Sequence, residues 1–80
     1  MARVTVLYFA SLRDAAGAAS ETLETTAVDL AALYAQACER HGFALPLERL
    51  RVAMDGEFAR WTDAVRDGAE VAFIPPVSGG

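Results

Sequence analysis

The residues of this chain best suited to chemistry are its last two, Gly79 and Gly80. A glycine pair has the least bulk that a peptide can offer, so its terminal carboxylate can enter a narrow channel and reach a nucleotide. A carboxylate is a poor acyl donor until it is activated, and adenylation by a separate ATP-using enzyme suits this shape. Taken alone, the two glycines favour a frayed chain end, and the two interpretations become equal only with the proline pair that precedes them. We expect Gly80 to be the encoded terminus.

A proline pair, Pro75 and Pro76, precedes this terminus. Each proline fixes φ near about −65° and biases the residue before it towards an extended conformation. The segment from Ile74 to Pro76 should therefore project stiffly, and the stretch from Pro76 onward can reach roughly 15 Å from the folded body, at about 3.3 Å per residue. We therefore divide the chain into a domain over residues 1–74 and an extended tail over residues 75–80.

Composition excludes several other kinds of chemistry. All 7 basic residues are arginine, so no lysine is present to form a Schiff base, to bind phosphate in a Walker loop or to accept an isopeptide bond. One cysteine, Cys38, and one histidine, His41, cannot build a structural zinc site. A net charge of −4 gives little attraction to nucleic acid or to an anionic membrane. We expect no bound metal or cofactor, no nucleic-acid partner and no membrane partner.

Size and hydropathy indicate one folded domain. The 80 residues, with a hydrophobic fraction of 54%, can build a core but only a shallow one, so a deep internal active site is not expected. No apolar run approaches the roughly 20 residues that span a bilayer, and the N-terminus has no signal-peptide pattern. We therefore expect a cytoplasmic protein.

Five segments have the composition of β-strands, and they cover residues 4–9, 21–25, 50–54, 57–60 and 70–74. The first and last are apolar on both faces, as is typical of strands inside a sheet. The pair Asp55-Gly56 predicts a tight hairpin between the third and fourth strands. The last strand must end at Pro75, because a proline cannot donate a ladder hydrogen bond.

A long amphipathic helix is predicted between the second and third strands. It begins at Thr26, whose spacing to Asp29 is that of a capping box, and it ends at Gly42. Its apolar stripe consists of Leu30, Leu33, Tyr34, Ala37, Cys38 and His41. A short helical turn is predicted after the first strand, with Ser11 as its cap and Gly17 as its end.

These elements predict an α+β protein with the order ββαβββ. The economical arrangement pairs the first and last strands in parallel at the centre of a mixed sheet of about five strands, with one main helix across one face. That architecture is the β-grasp, or ubiquitin-like, fold. Phe73 and Ile74 point to opposite faces of the last strand, and we expect Phe73 under the helix and Ile74 outward.

Two segments of the chain resemble the family of small, sulfur-carrier subunits of molybdopterin synthase. The C-terminal segment is DGAEVAFIPPVSGG, and the N-terminal segment is YFASLRDAAG. Both occupy the expected places, and the resemblance in length and element order covers essentially the whole chain. The departures are mild, since Asp14 stands where the family often has glutamate and Asp55 stands where it often has asparagine.

The resemblance implies a cycle in which partner proteins perform the catalysis and this chain is a non-catalytic carrier. An E1-like adenylating enzyme uses ATP to activate Gly80, and a sulfur donor protein supplies the sulfur that makes it a thiocarboxylate. The tail then enters the large subunit of the synthase, in a heterotetramer of two small and two large subunits. There the sulfur passes to cyclic pyranopterin monophosphate for molybdenum cofactor biosynthesis. Gly79 provides clearance, Val77 and Ser78 line the channel, and Pro75-Pro76 aim the tail.

Other residues have a structural and a functional interpretation. The place of Cys38 in the apolar stripe favours core packing over a sulfur relay. His41, beside the helix C-terminus, favours interaction with the helix dipole over metal binding. Arg13 either ties down the first loop or contacts a partner, and Trp61 is expected to anchor the loop after the hairpin. An exposed apolar sheet face that includes Ile74 is the expected docking surface for partners.

Other functions are also compatible with the sequence. A sulfur carrier for thiamine thiazole, transfer-RNA thiolation or cysteine synthesis has the same fold and the same terminus. A non-covalent β-grasp binding module and a ubiquitin-like tag for target lysines are alternatives from other classes. The PPVSGG ending and the YFASLRD segment favour the molybdopterin pathway.

Overall fold

The computed structural model describes residues 1–76. Its elements are the strands β1 (Ala2–Tyr8), β2 (Ser20–Thr25), β3 (Arg51–Met54), β4 (Glu57–Ala59) and β5 (Glu70–Ile74), the helices α1 (Ala10–Ala16) and α2 (Leu30–His41), and a 3₁₀ helix (Leu47–Arg49). The strands form one 5-stranded mixed sheet in the order β2-β1-β5-β3-β4. The predicted α+β class, the order ββαβββ and the β-grasp architecture are therefore confirmed.

The strand that leads into the tail, β5, is the middle strand of the sheet. It runs parallel to β1, with Val6 opposite Val71 and Tyr8 opposite Phe73, as predicted for the first and last strands. On its other side it runs antiparallel to β3. Because both of its edges are paired, β5 is held by backbone hydrogen bonds on both sides up to the point where the tail begins.

The core lies between α2 and one face of the sheet. Alternate side chains of β1 and β5 are buried there, and Val6 and Phe73 are each 0% exposed. Leu30, Leu33 and Tyr34 of α2 are buried against them at the predicted helical spacing. Burial of each large apolar side chain stabilises the fold by about 1.5–3 kcal/mol. The apolar stripe therefore fixes α2 across the sheet.

The start of α2 differs from the prediction. The helix begins one residue after Asp29, whose side chain accepts a hydrogen bond from the backbone N–H of Ala32 at 2.9 Å. Asp29 is thus the N-cap itself, and the prediction of a helix that begins at Thr26 is wrong. The hydroxyl of Thr25 accepts a hydrogen bond from the N–H of Ala27 at 3.0 Å. This local bond turns the chain where the sequence predicts the first helical turn.

The predicted cap of the short helix α1 is also wrong. The helix begins at Ala10, one residue before Ser11, and no side chain caps it. Since β1 stays paired up to Tyr8, the chain enters the helix almost at once, through Ala10 with a left-handed φ of 51°. That conformation costs a non-glycine residue about 1–2 kcal/mol. The predicted ends of the two helices, at Gly17 and Gly42, are confirmed.

The Asp55-Gly56 hairpin is confirmed. Its two central residues have φ values of 54° and 86°, the pair of left-handed conformations that a type I′ turn requires. Its two strands are each one residue shorter than predicted. The N–H of Leu50 donates to the carbonyl of Leu47 at 3.1 Å, and the N–H of Arg60 donates to the carboxylate of Asp63 at 3.0 Å. Neither Leu50 nor Arg60 therefore joins the ladder.

Candidate functional site

The tail leaves the fold at the edge of the sheet where β5 ends, which we call the tail edge. The parallel strands β1 and β5 both end there, and the antiparallel β3 begins there, with Arg51 paired to Ile74. Pro75 is buried, whereas Pro76 is exposed. The first proline is thus packed into the fold, and the chain reaches the surface at the second. The other predicted tail residues lie outside the described range: Val77, Ser78, Gly79 and Gly80.

The two residues before the prolines face opposite sides of the sheet, as predicted. Phe73 lies between the sheet and α2, with its ring centroid 5.1 Å from that of Tyr34 and 5.9 Å from that of Trp61. Aromatic pairs at such distances add about 0.5–1.5 kcal/mol each beyond area burial. Trp61 therefore anchors the loop after the hairpin, as predicted. Ile74 is half-buried on the opposite face, so it remains on the side that a partner can reach.

The sheet face opposite α2 carries an apolar band that runs across four strands. Leu7 of β1 is the register partner of Ala72 of β5. Ala72 also pairs with Ala53 of β3, and Ala53 pairs with Phe58 of β4. Register partners share one face, and Ile74 lies two residues from Ala72 on that same face. We call these five residues the apolar band, and the side chain at its outer end, Phe58, is 73% exposed.

A polar network joins β1, β2 and the last turn of α2 around the carboxylate of Glu21. The phenol of Tyr8 donates to Oε2 at 2.5 Å, and Nε2 of His41 contacts the same oxygen. Nε of Arg40 donates to Oε1 at 2.9 Å. The side chain of Glu21 is only 17% exposed, so these bonds are largely removed from water. We call these four residues the Glu21 network.

The geometry of the Glu21 network sets its protonation states. Burial alone would raise the pKa of Glu21, but hydrogen bonds from Tyr8 and His41 and the charges of His41 and Arg40 outweigh it, so the pKa lies below its ordinary value. Burial, followed by the hydrogen bond to Glu21, raises the pKa of the Tyr8 phenol. At neutral pH Glu21 is therefore a charged acceptor and Tyr8 a neutral donor. Hydrogen bonds to a charged group stabilise by about 1.5–3 kcal/mol.

Sequence reasoning did not find the Glu21 network. It placed Glu21 on a half-exposed strand and His41 at the end of a helix, and it paired neither with Tyr8. The only signal for the network is positional, since the β-grasp order brings the end of β1, the start of β2 and the end of α2 to one place. His41 does lie in the last turn of α2, where it was predicted, but its ring contacts Glu21.

Comparison with known sequences decides the family. The sequence model of the ThiS family matches residues 6–80. The chain belongs to the ThiS family. Two curated relatives are both named molybdopterin synthase sulfur carrier subunit. The one from Haemophilus influenzae is 35% identical over 80 residues, which cover 96% of this chain and 99% of the relative. The one from Mycosarcoma maydis is 41% identical over 88 residues, which cover 96% of this chain and 92% of the relative.

Solved structures share the fold of this ThiS family member. SAMP1 from Haloferax volcanii matches with a TM-score of 0.81 at 24% identity, over 98% of this chain and 99% of that chain. The protein-protein complex of subunits 1 and 2 of the molybdopterin-converting factor from Helicobacter pylori contains a chain that matches with a TM-score of 0.67 at 24% identity. That match covers 98% of this chain and 99% of the Helicobacter pylori chain. At such identities the likeness concerns the fold alone.

Two further predicted residues can be placed in this ThiS family member. Cys38 is half-buried and packs against the core, as predicted. Arg13 is exposed on α1, and its side chain forms no ion pair with a carboxylate of residues 1–76. A side-chain bond that ties down the first loop is therefore not seen in this part of the chain. The contact of Arg13 with a partner stays a prediction.

Two features of a metal or polar ligand site are absent from the described residues. No group of three or more His, Cys, Asp or Glu side chains in residues 1–76 is arranged to hold a metal ion. Every buried side-chain nitrogen or oxygen in the same range has a hydrogen-bond partner, so none marks an unfilled polar site. None of the helices described is both long and apolar enough to cross a membrane.

Proposed function

We propose that this chain is the sulfur carrier of a molybdopterin synthase and that it holds its sulfur as a thiocarboxylate on Gly80. The named relatives support both the carrier role and the pathway. The observation that carries the proposal is the position from which the tail starts. The middle strand β5 is paired on both sides and is followed by a buried Pro75, so the chain leaves the fold from a fixed point. A terminal carboxylate on a tail anchored in this way can be inserted into a partner once the domain is docked.

The first half of the proposed cycle activates Gly80 on an E1-like adenylating enzyme. A carboxylate oxygen attacks the α-phosphorus of ATP, an acyl-adenylate forms, and pyrophosphate leaves. Hydrosulfide supplied by a sulfur donor protein then attacks the acyl carbon, AMP leaves with the bonding electron pair, and one proton is released. The product is the thiocarboxylate, and the acyl carbon is neither oxidised nor reduced in these steps.

The second half of the cycle delivers the sulfur within the large subunit. The thiocarboxylate sulfur displaces an oxygen substituent from a side-chain carbon of cyclic pyranopterin monophosphate, and the oxygen leaves with the bonding electron pair. Water then cleaves the acyl–sulfur bond, which restores the carboxylate of Gly80 and leaves the sulfur on the pterin, and two such transfers build the dithiolene. In this step Gly79 provides clearance, Val77 and Ser78 line the channel, and Pro75-Pro76 aim the tail. The chain therefore supplies no catalytic side chain, and the catalysts belong to its partners.

The apolar band is the proposed docking surface for the large subunit. Burial of apolar surface contributes roughly 25 cal/mol per Å², and Phe58 offers a ring that is 73% exposed at the end of the band. Ile74 extends the band to the residue before the prolines, so a partner on the band also meets the base of the tail. The two-subunit complex from Helicobacter pylori supports such a pairing. We place the assembly, as a heterotetramer of two small and two large subunits, in the cytoplasm.

A reconstituted transfer reaction tests the proposed function. The chain is prepared with a thiocarboxylate at Gly80 by sulfide cleavage of an intein fusion. It is mixed with the large subunit from the same genome and with cyclic pyranopterin monophosphate. Molybdopterin is expected to form as the thiocarboxylate is consumed, and the same chain with an ordinary carboxylate is the matched control.

The outcomes of this reaction separate the alternatives. Molybdopterin formation that is equal with and without the thiocarboxylate contradicts the carrier role. No transfer to the pterin, combined with sulfur transfer in a thiazole, transfer-RNA or cysteine-forming system, contradicts the pathway and retains the carrier. Covalent attachment of the chain to other proteins indicates a tag.

A further inference from the structure

The 7 arginines of the chain fall into two groups. Three of them form ion pairs: Arg3 with Glu24 at 3.2 Å, Arg40 with Glu21 at 2.9 Å and Arg66 with Asp55 at 2.7 Å. The other four are exposed, and within residues 1–76 none of them has a carboxylate at ion-pair distance. These four are Arg13, Arg49, Arg51 and Arg60.

These four arginines all lie at the tail edge. Arg51 is the register partner of Ile74, the last residue of β5. Arg60 directly follows β4 at the same edge, and Arg49 ends the 3₁₀ helix two residues before Arg51. Arg13 is on α1, which begins two residues after β1 ends beside β5. We call these four residues the arginine rim.

Carboxylates at the tail edge form no ion pair with the arginine rim among the residues described. Asp14, Glu48 and Asp63 pair with no guanidinium there, Glu21 is paired with Arg40, and Glu39 lies in the last turn of α2 at the same end. Asp63 instead accepts the backbone N–H of Arg60 at 3.0 Å. At the opposite edge carboxylates outnumber arginines. The arginines that form no ion pair within residues 1–76 are therefore gathered at the end of this acidic domain from which the tail leaves.

We infer that the arginine rim docks against a carboxylate-bearing protein surface around the mouth of the channel that the tail enters. The inference rests on the proposed function, since it names the chemistry of the partner at that site. Guanidinium groups match carboxylates with two parallel hydrogen bonds. Because the rim groups form no ion pair within residues 1–76, docking breaks no ion pair in that part of the chain. The rim is also continuous with the apolar band, because the guanidinium carbon of Arg51 lies 5.9 Å from the ring centroid of Phe58.

Distance favours a protein surface over a bound nucleotide as the partner of the rim. Four residues follow Pro76 in the sequence, and fully extended they span about 13 Å. When the terminus reaches a reaction centre at the end of a channel, the rim therefore remains at the mouth. Charges at a mouth act mainly before insertion, since they orient the domain and raise the association rate.

Stopped-flow association with the large subunit of molybdopterin synthase from the same genome tests the inference. The rim variant is Arg49→Gln with Arg60→Gln, two side chains that make no hydrogen bond within residues 1–76. The matched control is Arg3→Gln with Arg66→Gln, which changes the net charge by the same amount at the opposite edge. Thermal unfolding of both variants checks that each is folded.

At low ionic strength the association rate constant of the rim variant is expected to fall about tenfold, and that of the control to stay near the wild-type value. The difference should disappear near 0.5 M salt, where the Debye length is roughly 4 Å. A rim variant that associates as fast as the wild type contradicts the inference, and so does a control that slows equally. If the wild-type chain does not bind the large subunit, this result contradicts both the proposed function and the inference that rests on it.

Discussion

Arg51 of β3 and Ile74 of β5 are register partners in the last position of the sheet before the tail. On the other side of β5, Phe73 is paired with Tyr8 of β1. The end of β5 is therefore held from both sides immediately before Pro75. A tail that starts here moves with the sheet and not with a loop, so a partner that binds the sheet face also fixes where the tail points.

Removal of the Phe58 ring should weaken binding of the large subunit. Phe58 is 73% exposed, so Phe58→Ser should change the free energy of unfolding by only about 0.5 kcal/mol. Loss of an aromatic anchor from the proposed interface should raise Kd about tenfold or more. Isothermal titration calorimetry measures the effect.

The matched control for this substitution is Val28→Ser. Val28 is 77% exposed but lies outside the strands, between β2 and α2. Its replacement should leave Kd unchanged. If Phe58→Ser binds as tightly as the wild type, the apolar band is not the docking surface.

Replacement of Glu21 should destabilise the fold in a pH-dependent way. Because the pKa of Glu21 is lowered by folding, its charged form stabilises the protein above the unfolded value of 4.5, and this stabilisation is lost as pH falls through the folded value. Glu21→Gln should therefore cost about 1–3 kcal/mol at neutral pH and little at low pH. Urea unfolding from pH 7 to pH 3 measures the difference.

Glu24→Gln is the control for the Glu21 prediction. Glu24 pairs with Arg3, but their side chains are 56% and 69% exposed, and such surface pairs contribute about 0–1 kcal/mol. The Glu24 variant should follow the wild-type pH profile. A difference between wild type and Glu21→Gln that stays constant from pH 7 to pH 3 would contradict the stabilising role of the Glu21 charge.

Substitution of Asp29 and of Thr26 should show which of the two residues caps α2. Asp29→Ala removes the bond to Ala32 and should lower the free energy of unfolding by about 1 kcal/mol. Thr26→Ala should change it by less than about 0.5 kcal/mol, because Thr26 is exposed and does not cap the helix. Chemical denaturation of both variants checks the ranking, and a larger loss for Thr26→Ala would restore the predicted start.

Much of the fold could be predicted because its signals are local. Asp55-Gly56 can adopt the left-handed conformations of a tight hairpin, and the end of β5 follows from the missing N–H of Pro75. The central positions of β1 and β5 follow from their apolar residues on both faces, which favour a strand inside a sheet over an edge strand. These features depend on a few adjacent residues each.

The features that could not be predicted depend on residues far apart in the chain. Glu21 lies 13 residues from Tyr8 and 20 from His41, and only the fold shows that they meet. Thr26 and Asp29 both suit an N-cap, and besides the local bond of Thr25 the distant contacts of the segment favour Asp29. Asp29 bridges to Ala64, and the N–H of Val65 donates to the carbonyl of Val28 at 3.2 Å. The separation of paired from unpaired arginines likewise needs the strand register, which no local motif encodes.

The intact mass of the chain after incubation with ATP, a sulfur donor and the activating enzyme shows whether Gly80 accepts sulfur. We expect a gain equal to the exchange of one oxygen for one sulfur, with fragmentation placing the sulfur on Gly80. No gain should occur without ATP or in a chain that lacks Gly80. An unchanged mass with an enzyme that is active on a curated relative, or sulfur found on Cys38 and not on Gly80, would contradict this expectation.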